Sequence, residues 1–189
     1  MKPRSIREWL FWAKEALPGP DAARESRLLL SWASGRPQER LFSHPEARLP
    51  KDAKARFQEA IRRRQAHEPL AYIVGERWFY GLRFRVSPAV LIPRPETEEL
   101  VEYAVAVLRR AGVAREPALV ADVGCGSGAI GVAIAHTLPA VRVIAVDISA
   151  PALAIARANA RLNHVRGSMQ FVRCNLLAAV SGPFHFIAA

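Results

Sequence analysis

The run VADVGCGSGAIG, residues 120–131, gathers small and acidic residues in a pattern able to hold a nucleoside. An apolar, strand-like segment ends in Asp122, and Gly124, Gly126 and Gly128 follow at alternate positions before a helix begins. Glycines permit the sharp turn and the close approach of a ligand, and N–H groups exposed at a helix start bind polar groups. A second apolar segment, VRVIAVD, ends in Asp147, 23 residues after Gly124. An acid at that place can accept hydrogen bonds from both hydroxyls of a ribose. Gly126, Gly128 and Gly131 also satisfy G-x-G-x-x-G, so a dinucleotide is a competing reading. A purely structural glycine turn is a third, although such a turn would not need Asp147. Cys125 and Cys174, the two cysteines, lack metal-ligand spacing, and no metal site is expected.

The elements that must position these residues follow from periodicity. Beyond Gly112 the chain alternates strand and helix: ALVADVG, a helix over 128–136, VRVIAVD, a helix capped by Ser149, MQFVRCN, and a final FHFIAA. Such alternation predicts a parallel sheet with right-handed crossovers, an α/β fold. The first 68 residues read instead as a small all-helical bundle. Ser5-Ile6-Arg7-Glu8 fits a capping box, and Ile6, Trp9, Leu10, Ala13 and Leu17 follow at helical spacing. Asp21 is the expected N-cap of the next helix, with Leu28, Leu29 and Trp32 facing inward and Gly35 closing it. Pro37 and Pro50 each open a further helix, the last carrying Phe57, Ala60 and Ile61 inward and Arg62, Arg63 and Arg64 outward. From Tyr72 the pattern alternates through Gly75 and Gly81, predicting a β-hairpin that links the two parts. Pro93 and Pro95 then hold the chain extended around Arg94, and a helix begins near Glu96 or Thr97 with Leu100, Val101, Ala104, Val107 and Leu108 on one face. The domain boundaries read as 1–68, a linker over 69–93, and 94–189.

With 189 residues, 51% of them hydrophobic, the chain can bury a core, and no apolar run approaches the roughly 20 residues of a membrane span. The basic N-terminus is interrupted by Glu8, Lys14 and Glu15 and reads as an amphipathic helix, not a signal peptide. A cytoplasmic monomer is expected. Of the net charge of +10, residues 1–85 carry +8, which favours an acidic partner, or RNA, near the bundle or a merely solvated basic surface. No aromatic-basic motif accompanies the charge, so direct nucleic-acid binding is not expected.

The Asp-x-Gly-x-Gly-x-Gly loop with an acid at the next strand end resembles the S-adenosylmethionine loop of class I methyltransferases. The stretch EPLAYIVGERWFYGLRFRVSPAVLIPRPETEELVE, residues 68–102, followed by DVGCGSGAIG and AVDIS, is similar to the PrmC/HemK family of release-factor glutamine N5-methyltransferases. The likeness covers nearly the whole chain, and LIPRPETE is more specific than the glycine loop. It implies a helical substrate-recognition bundle followed by a class I, Rossmann-like S-adenosylmethionine-dependent methyltransferase domain, incomplete at its C-terminus. The substrate it implies is the glutamine of the Gly-Gly-Gln loop in peptide chain release factors.

By that resemblance Gly124, Cys125, Gly126, Ser127 and Gly128 line the methionine part of the cofactor with Asp122 beneath, and Asp147 holds the ribose. Arg94 and Thr97 lie beside the active-site cleft. Where the family commonly has an acid after the third strand, this chain has Asn175, followed by Leu176, and both are assigned to the cofactor site. His185 replaces the Asp of the family's fourth strand. That strand continues in the family into Asn-Pro-Pro-Tyr, which orients the glutamine amide. FHFIAA occupies the strand here and residue 189 is its last, so no catalytic residue is expected in this chain, and it is expected to be inactive by itself. The alternatives are a non-catalytic binding remnant, or an Asn-Pro-Pro-Tyr-class methyltransferase acting on DNA adenine or a ribosomal protein.

Overall fold

Ile6, Trp9 and Ala13 recur at helical spacing, and in the computed structural model they form the buried face of α1 (Ile6–Ala16). The structure describes residues 3–112 and 118–189, divided into the units Met1–Val74 and Gly75–Ala189. The Ser5 hydroxyl accepts from the Glu8 N–H at 3.3 Å, as a cap should. The reciprocal bond of the capping box moves one residue upstream: Glu8 accepts from the Arg4 N–H at 2.8 Å.

α2 (Ala22–Ser34) ends at Gly35, whose φ of 65° suits the left-handed cap. Its buried residues are Ala22, Glu25, Ser26, Leu29, Leu30 and Ala33, whereas Trp32, expected inward, is 38% exposed and Leu28 half-buried. The face that α2 turns toward α1 and α4 is therefore rotated by about one residue, toward Leu30 and Ala33. Asp21 stands at the N-cap position without capping; its carboxylate pairs with Arg24. Pro37 and Pro50 precede α3 (Gln38–Ser43) and α4 (Lys51–Gln65), and α5 (Leu70–Val74) closes the unit. Trp9, Trp12 and Phe57 meet edge to face, with ring centroids 5.5–6.2 Å apart, at the centre of the bundle.

The three arginines of α4 do not share one environment, contrary to the expectation of an outward row. Arg62 is exposed and forks onto Glu59, one turn back. Arg63 forks onto Glu68. Arg64 reaches across to α2 and donates to both oxygens of Glu25 at 2.8 and 3.0 Å, with side-chain exposures of only 22% and 11%. Arg64 follows Phe57 by seven residues and Ala60 by four, so it falls on the buried face of α4, whereas Arg62 and Arg63 point away from that face.

The second unit opens with the hairpin β1 (Glu76–Phe79) and β2 (Leu82–Arg85). Its turn residues Tyr80 and Gly81 have φ of 51° and 69°, the primed geometry that matches strand twist. The strand pattern does not extend back to Tyr72 as expected. Residues 70–74 form a helical turn on Pro69, whose carbonyl accepts from the Tyr72 and Ile73 N–H groups, and Ile73 joins the bundle core. Phe79 and Phe84, 5.9 Å apart and T-shaped, belong to the second unit's core, so the hairpin is built into that unit.

α6 (Thr97–Arg110) buries Val101, Ala104, Val105 and Leu108. Then β3 (Ala118–Val123), α7 (Ala129–Thr137), β4 (Val141–Asp147), α8 (Ala150–Leu162), β5 (Met169–Arg173) and β6 (Phe186–Ala188) build a four-stranded parallel sheet of order β5-β4-β3-β6. Right-handed crossovers in one direction put α7 and α8 on the same face, and each packs on its neighbour. The third strand is shorter than MQFVRCN, and the fourth is only three residues long. His185 lies just outside it: its N–H donates to the Leu119 carbonyl, and its Nδ1 accepts the Leu119 N–H at 3.2 Å. Among the described residues no helix is long and apolar enough to cross a membrane.

Candidate functional site

The glycine loop follows β3 at the C-terminal edge of the sheet. β3, β4 and β5 are laid down in one direction, and β6 then pairs on the other side of β3. The strand order thus reverses beside β3, the place where open α/β sheets leave a crevice for ligands. Asp122 lies opposite Ala145 of β4 and Ala188 of β6, and Asp147 lies opposite Arg173 of β5.

Gly124, Gly126 and Gly128 have φ of 68°, 52° and 76°, a run only glycine adopts without strain. The Cys125 N–H donates to the Val146 carbonyl at 2.9 Å, the Gly126 N–H to Asp147 Oδ2 at 2.9 Å, and the Gly128 N–H to the Cys125 carbonyl at 2.7 Å. Of the first-turn N–H groups of α7, that of Gly131 donates to Asp122 Oδ2 at 2.9 Å and that of Val132 to the Gly128 carbonyl. Those of Ala129 and Ile130 are the ones a helix start leaves without an intrahelical acceptor. A Cβ on Gly128 would sit 3.0 Å from the Ala156 Cβ, so the loop rests directly on α8.

Asp122 is 2% exposed and holds the first turn of α7 through the Gly131 N–H. Burial raises its pKa from 3.8 to about 6; the Gly131 N–H partly offsets this, and the charge of Asp147 adds to it. Burial likewise pushes the Cys125 thiol well above its usual range, which keeps it a neutral thiol. Asp147 is half-buried, and each of its oxygens accepts one backbone N–H: Oδ2 from Gly126, and Oδ1 from Ser149 at 2.8 Å. A carboxylate has about four acceptor sites, so two remain for hydroxyl donors.

Asn175 and Leu176 follow β5, both exposed, with Leu176 at a φ of 47°. The Cys174 N–H donates to the Asp147 carbonyl at 3.3 Å and Arg173 Nε to the Ile148 carbonyl at 2.9 Å, which ties the ends of β4 and β5 together. Ile148 and Leu176 are 66% and 67% exposed beyond these neighbouring strand ends. Apolar side chains in that setting offer contact to a flat ring. Arg94 is exposed, and its carbonyl accepts from the N–H of half-buried Thr97 at 3.1 Å. Among the described residues, the side-chain partners of the loop are Asp147 and Asn159, not Arg94 or Thr97.

Sequence reasoning missed Ile148, Glu98, Asn159 and Asn163. Glu98 accepts from the Tyr80 N–H at 2.8 Å and so ties the hairpin turn to α6. Asn159 lies on the apolar face of α8, Asn163 follows one turn later at its C-cap, and both bond to β2. A polar side chain on an apolar helical face is the signal that could have found Asn159, since buried amides need partners.

Residues 8–75 match the family model of the PrmC N-terminal domain, and residues 98–189 match that of the methyltransferase small domain. A release factor glutamine methyltransferase of Koribacter versatilis is 45% identical over 166 residues, covering 88% of this chain and 57% of that protein. Those of Bradyrhizobium diazoefficiens and Moorella thermoacetica are 38% and 43% identical over 169 and 158 residues, 89% and 84% of this chain, and 57% and 54% of their own lengths. The chain spans about half the length of the curated relatives it matches.

Proposed function

Because the chain belongs to the PrmC/HemK family, we propose that it supplies the recognition bundle and cofactor site of an enzyme that methylates the Gly-Gly-Gln glutamine of peptide chain release factors. The second unit has the class I methyltransferase fold, whose cofactor is S-adenosylmethionine, the source of an activated methyl group. The observation that carries the reading is Asp147, held by two backbone N–H groups with two acceptor sites to spare, beside a loop of three left-handed glycines.

In this reading Asp147 takes both ribose hydroxyls, and residues 124–128 line the methionine part. Ile148, Asn175 and Leu176 border the base. Asp122 acts indirectly, by fixing the Gly131 N–H and with it the helix start. Arg94 and Thr97 border the cleft that receives the glutamine. The amide nitrogen of glutamine is a poor nucleophile because its lone pair is delocalised, so its N–H groups must be held by acceptors to aim it. The family assigns that task to Asn-Pro-Pro-Tyr, which does not occur within residues 1–189, and we assign no catalytic residue here. The bundle docks the release factor, its basic excess speeds encounter, and the protein acts as a cytoplasmic monomer without nucleic acid.

Calorimetric titration with S-adenosylhomocysteine and with NAD tests the cofactor site. The unaltered chain is expected to bind the former, and Asp147→Ala to bind it at least tenfold more weakly, since charge-assisted hydrogen bonds contribute roughly 1.5–3 kcal/mol each before solvent competition. Unchanged affinity in the variant, or a preference for NAD, would overturn the assignment.

A further inference from the structure

Asn159 is fully buried, and its side-chain amide is spent on two segments far apart in the chain. Nδ2 donates to the Arg85 carbonyl at 3.0 Å and to the Ser127 carbonyl at 2.9 Å, while Oδ1 accepts the Arg85 N–H at 2.7 Å. Both amide hydrogens are thereby used. Among the described residues β2 pairs only with β1, so the outward N–H and C=O of Arg85 would otherwise be unpaired, and Asn159 takes the place of a neighbour strand. The other bond enters the glycine loop. The peptide between Ser127 and Gly128 is then held on both sides, its carbonyl by Asn159 and its N–H by the Cys125 carbonyl.

The hairpin itself is fixed at further points. Asn163 donates to the Arg83 carbonyl at 3.0 Å, and Glu98 holds the Tyr80 N–H. Phe79 and Phe84 anchor it in the core. Of these groups only Asn159 also bonds to the loop. Without it the buried Ser127 carbonyl would lack a donor, and the loop would relieve this by rotating the peptide just before α7 begins. That rotation displaces Gly126 on one side and the Ala129 N–H on the other.

We propose that Asn159 is a positioning residue for the cofactor loop, clamping the Ser127–Gly128 peptide to the β1–β2 hairpin so that the hairpin is the loop's anchor. This rests on the reading of residues 124–128 as the cofactor site. Asn159 meets no ligand itself; it acts through the peptide it holds. An aspartate of the same shape cannot replace it, because a carboxylate donates no hydrogen bond and would face two carbonyl oxygens.

The test compares the unaltered chain with Asn159→Asp, Asn159→Ala and Asn163→Ala, using S-adenosylhomocysteine titration, amide hydrogen exchange and thermal melting. Asn163→Ala loosens the same hairpin from the same helix without touching the loop. Both Asn159 variants are expected to bind at least tenfold more weakly and to exchange the Arg85 and Gly128 amides at least tenfold faster. Asn163→Ala should keep its affinity within threefold. Undiminished affinity in the Asn159 variants overturns the inference, as does an equal loss in Asn163→Ala, which would assign the effect to hairpin stability. If the Asn159 variants fail to fold, the unaltered chain decides. Saturating ligand must then slow exchange at Arg85 by a larger factor than at Val143 in β4, which reports global opening, and equal slowing overturns the inference. Absence of binding by the unaltered chain sinks the cofactor reading and this inference together. Binding by the unaltered chain with undiminished binding by the variants sinks this inference alone.

Discussion

Reversal of the α4 arginines, one at a time, should produce very unequal losses of stability, and this decides which of them can serve to test docking by charge. Arg64 forks onto Glu25 across the α2–α4 interface, with both side chains mostly shielded from water, and the contact raises the Arg64 pKa through that hydrogen bond. Breaking a buried pair by removing one partner costs about 3–5 kcal/mol, because the other charge is left uncompensated. The 22% residual exposure of Arg64 lets water reach the site, so Arg64→Glu is expected to cost about 2–3 kcal/mol. Arg62 lies on the open surface with Glu59 a turn away, side-chain exposures 71% and 52%. Exposed pairs of that kind contribute little. Arg62→Glu should therefore leave stability within experimental scatter, and Arg63→Glu should fall between the two. Urea unfolding followed by far-ultraviolet circular dichroism measures all three. Equal midpoints for Arg62→Glu and Arg64→Glu would refute the burial argument. If the prediction holds, a triple reversal that weakens release-factor binding says nothing about steering, and Arg62→Glu is the clean probe.

Two further outcomes follow from the loop. Asp122 has a native pKa of about 6 against 3.8, so the native state holds a proton that the unfolded chain releases; stability is fully present below pH 3.8 and declines as pH rises through 6, by about 3 kcal/mol in all. Asp122→Asn should remove this decline while still accepting the Gly131 N–H, and unfolding curves at pH 4.5 and 7.5 that fall as steeply for the variant as for the parent would refute the assignment. Gly131→Ala would place a Cβ 2.8 Å from Asp122 Oδ2 and 2.9 Å from the Val143 Cγ1, so it should cost about 1–3 kcal/mol by overpacking. An unchanged melting temperature would show that α7 shifts freely.

Local rules were readable wherever the chain states them locally. Gly124, Gly126 and Gly128 announced a sharp turn, Ser5 and Ser149 announced helix starts, and the alternation after Gly112 announced a parallel sheet. Asp147 at a strand end was visible because strand length and the βαβ repeat are short-range properties. The comparable local pattern misled at Tyr72–Val74, where alternation matched a strand while Pro69 and contact with the bundle core favoured a helical turn.

What the sequence alone determined is the order of elements, the tight glycine turn and the acid at the next strand end. The tertiary structure decided the partners. Arg64 met Glu25 across 39 residues, Trp32 turned outward, and Asn159 reached Arg85 across 74 residues and Ser127 across 32. The reason is physical: periodicity fixes which face of an element is apolar, but a buried polar side chain bonds to whatever backbone group the finished fold leaves unpaired beside it. Those groups, the outer edge of β2 and the carbonyl of Ser127, exist as unpaired groups only once hairpin, loop and helix have been brought together.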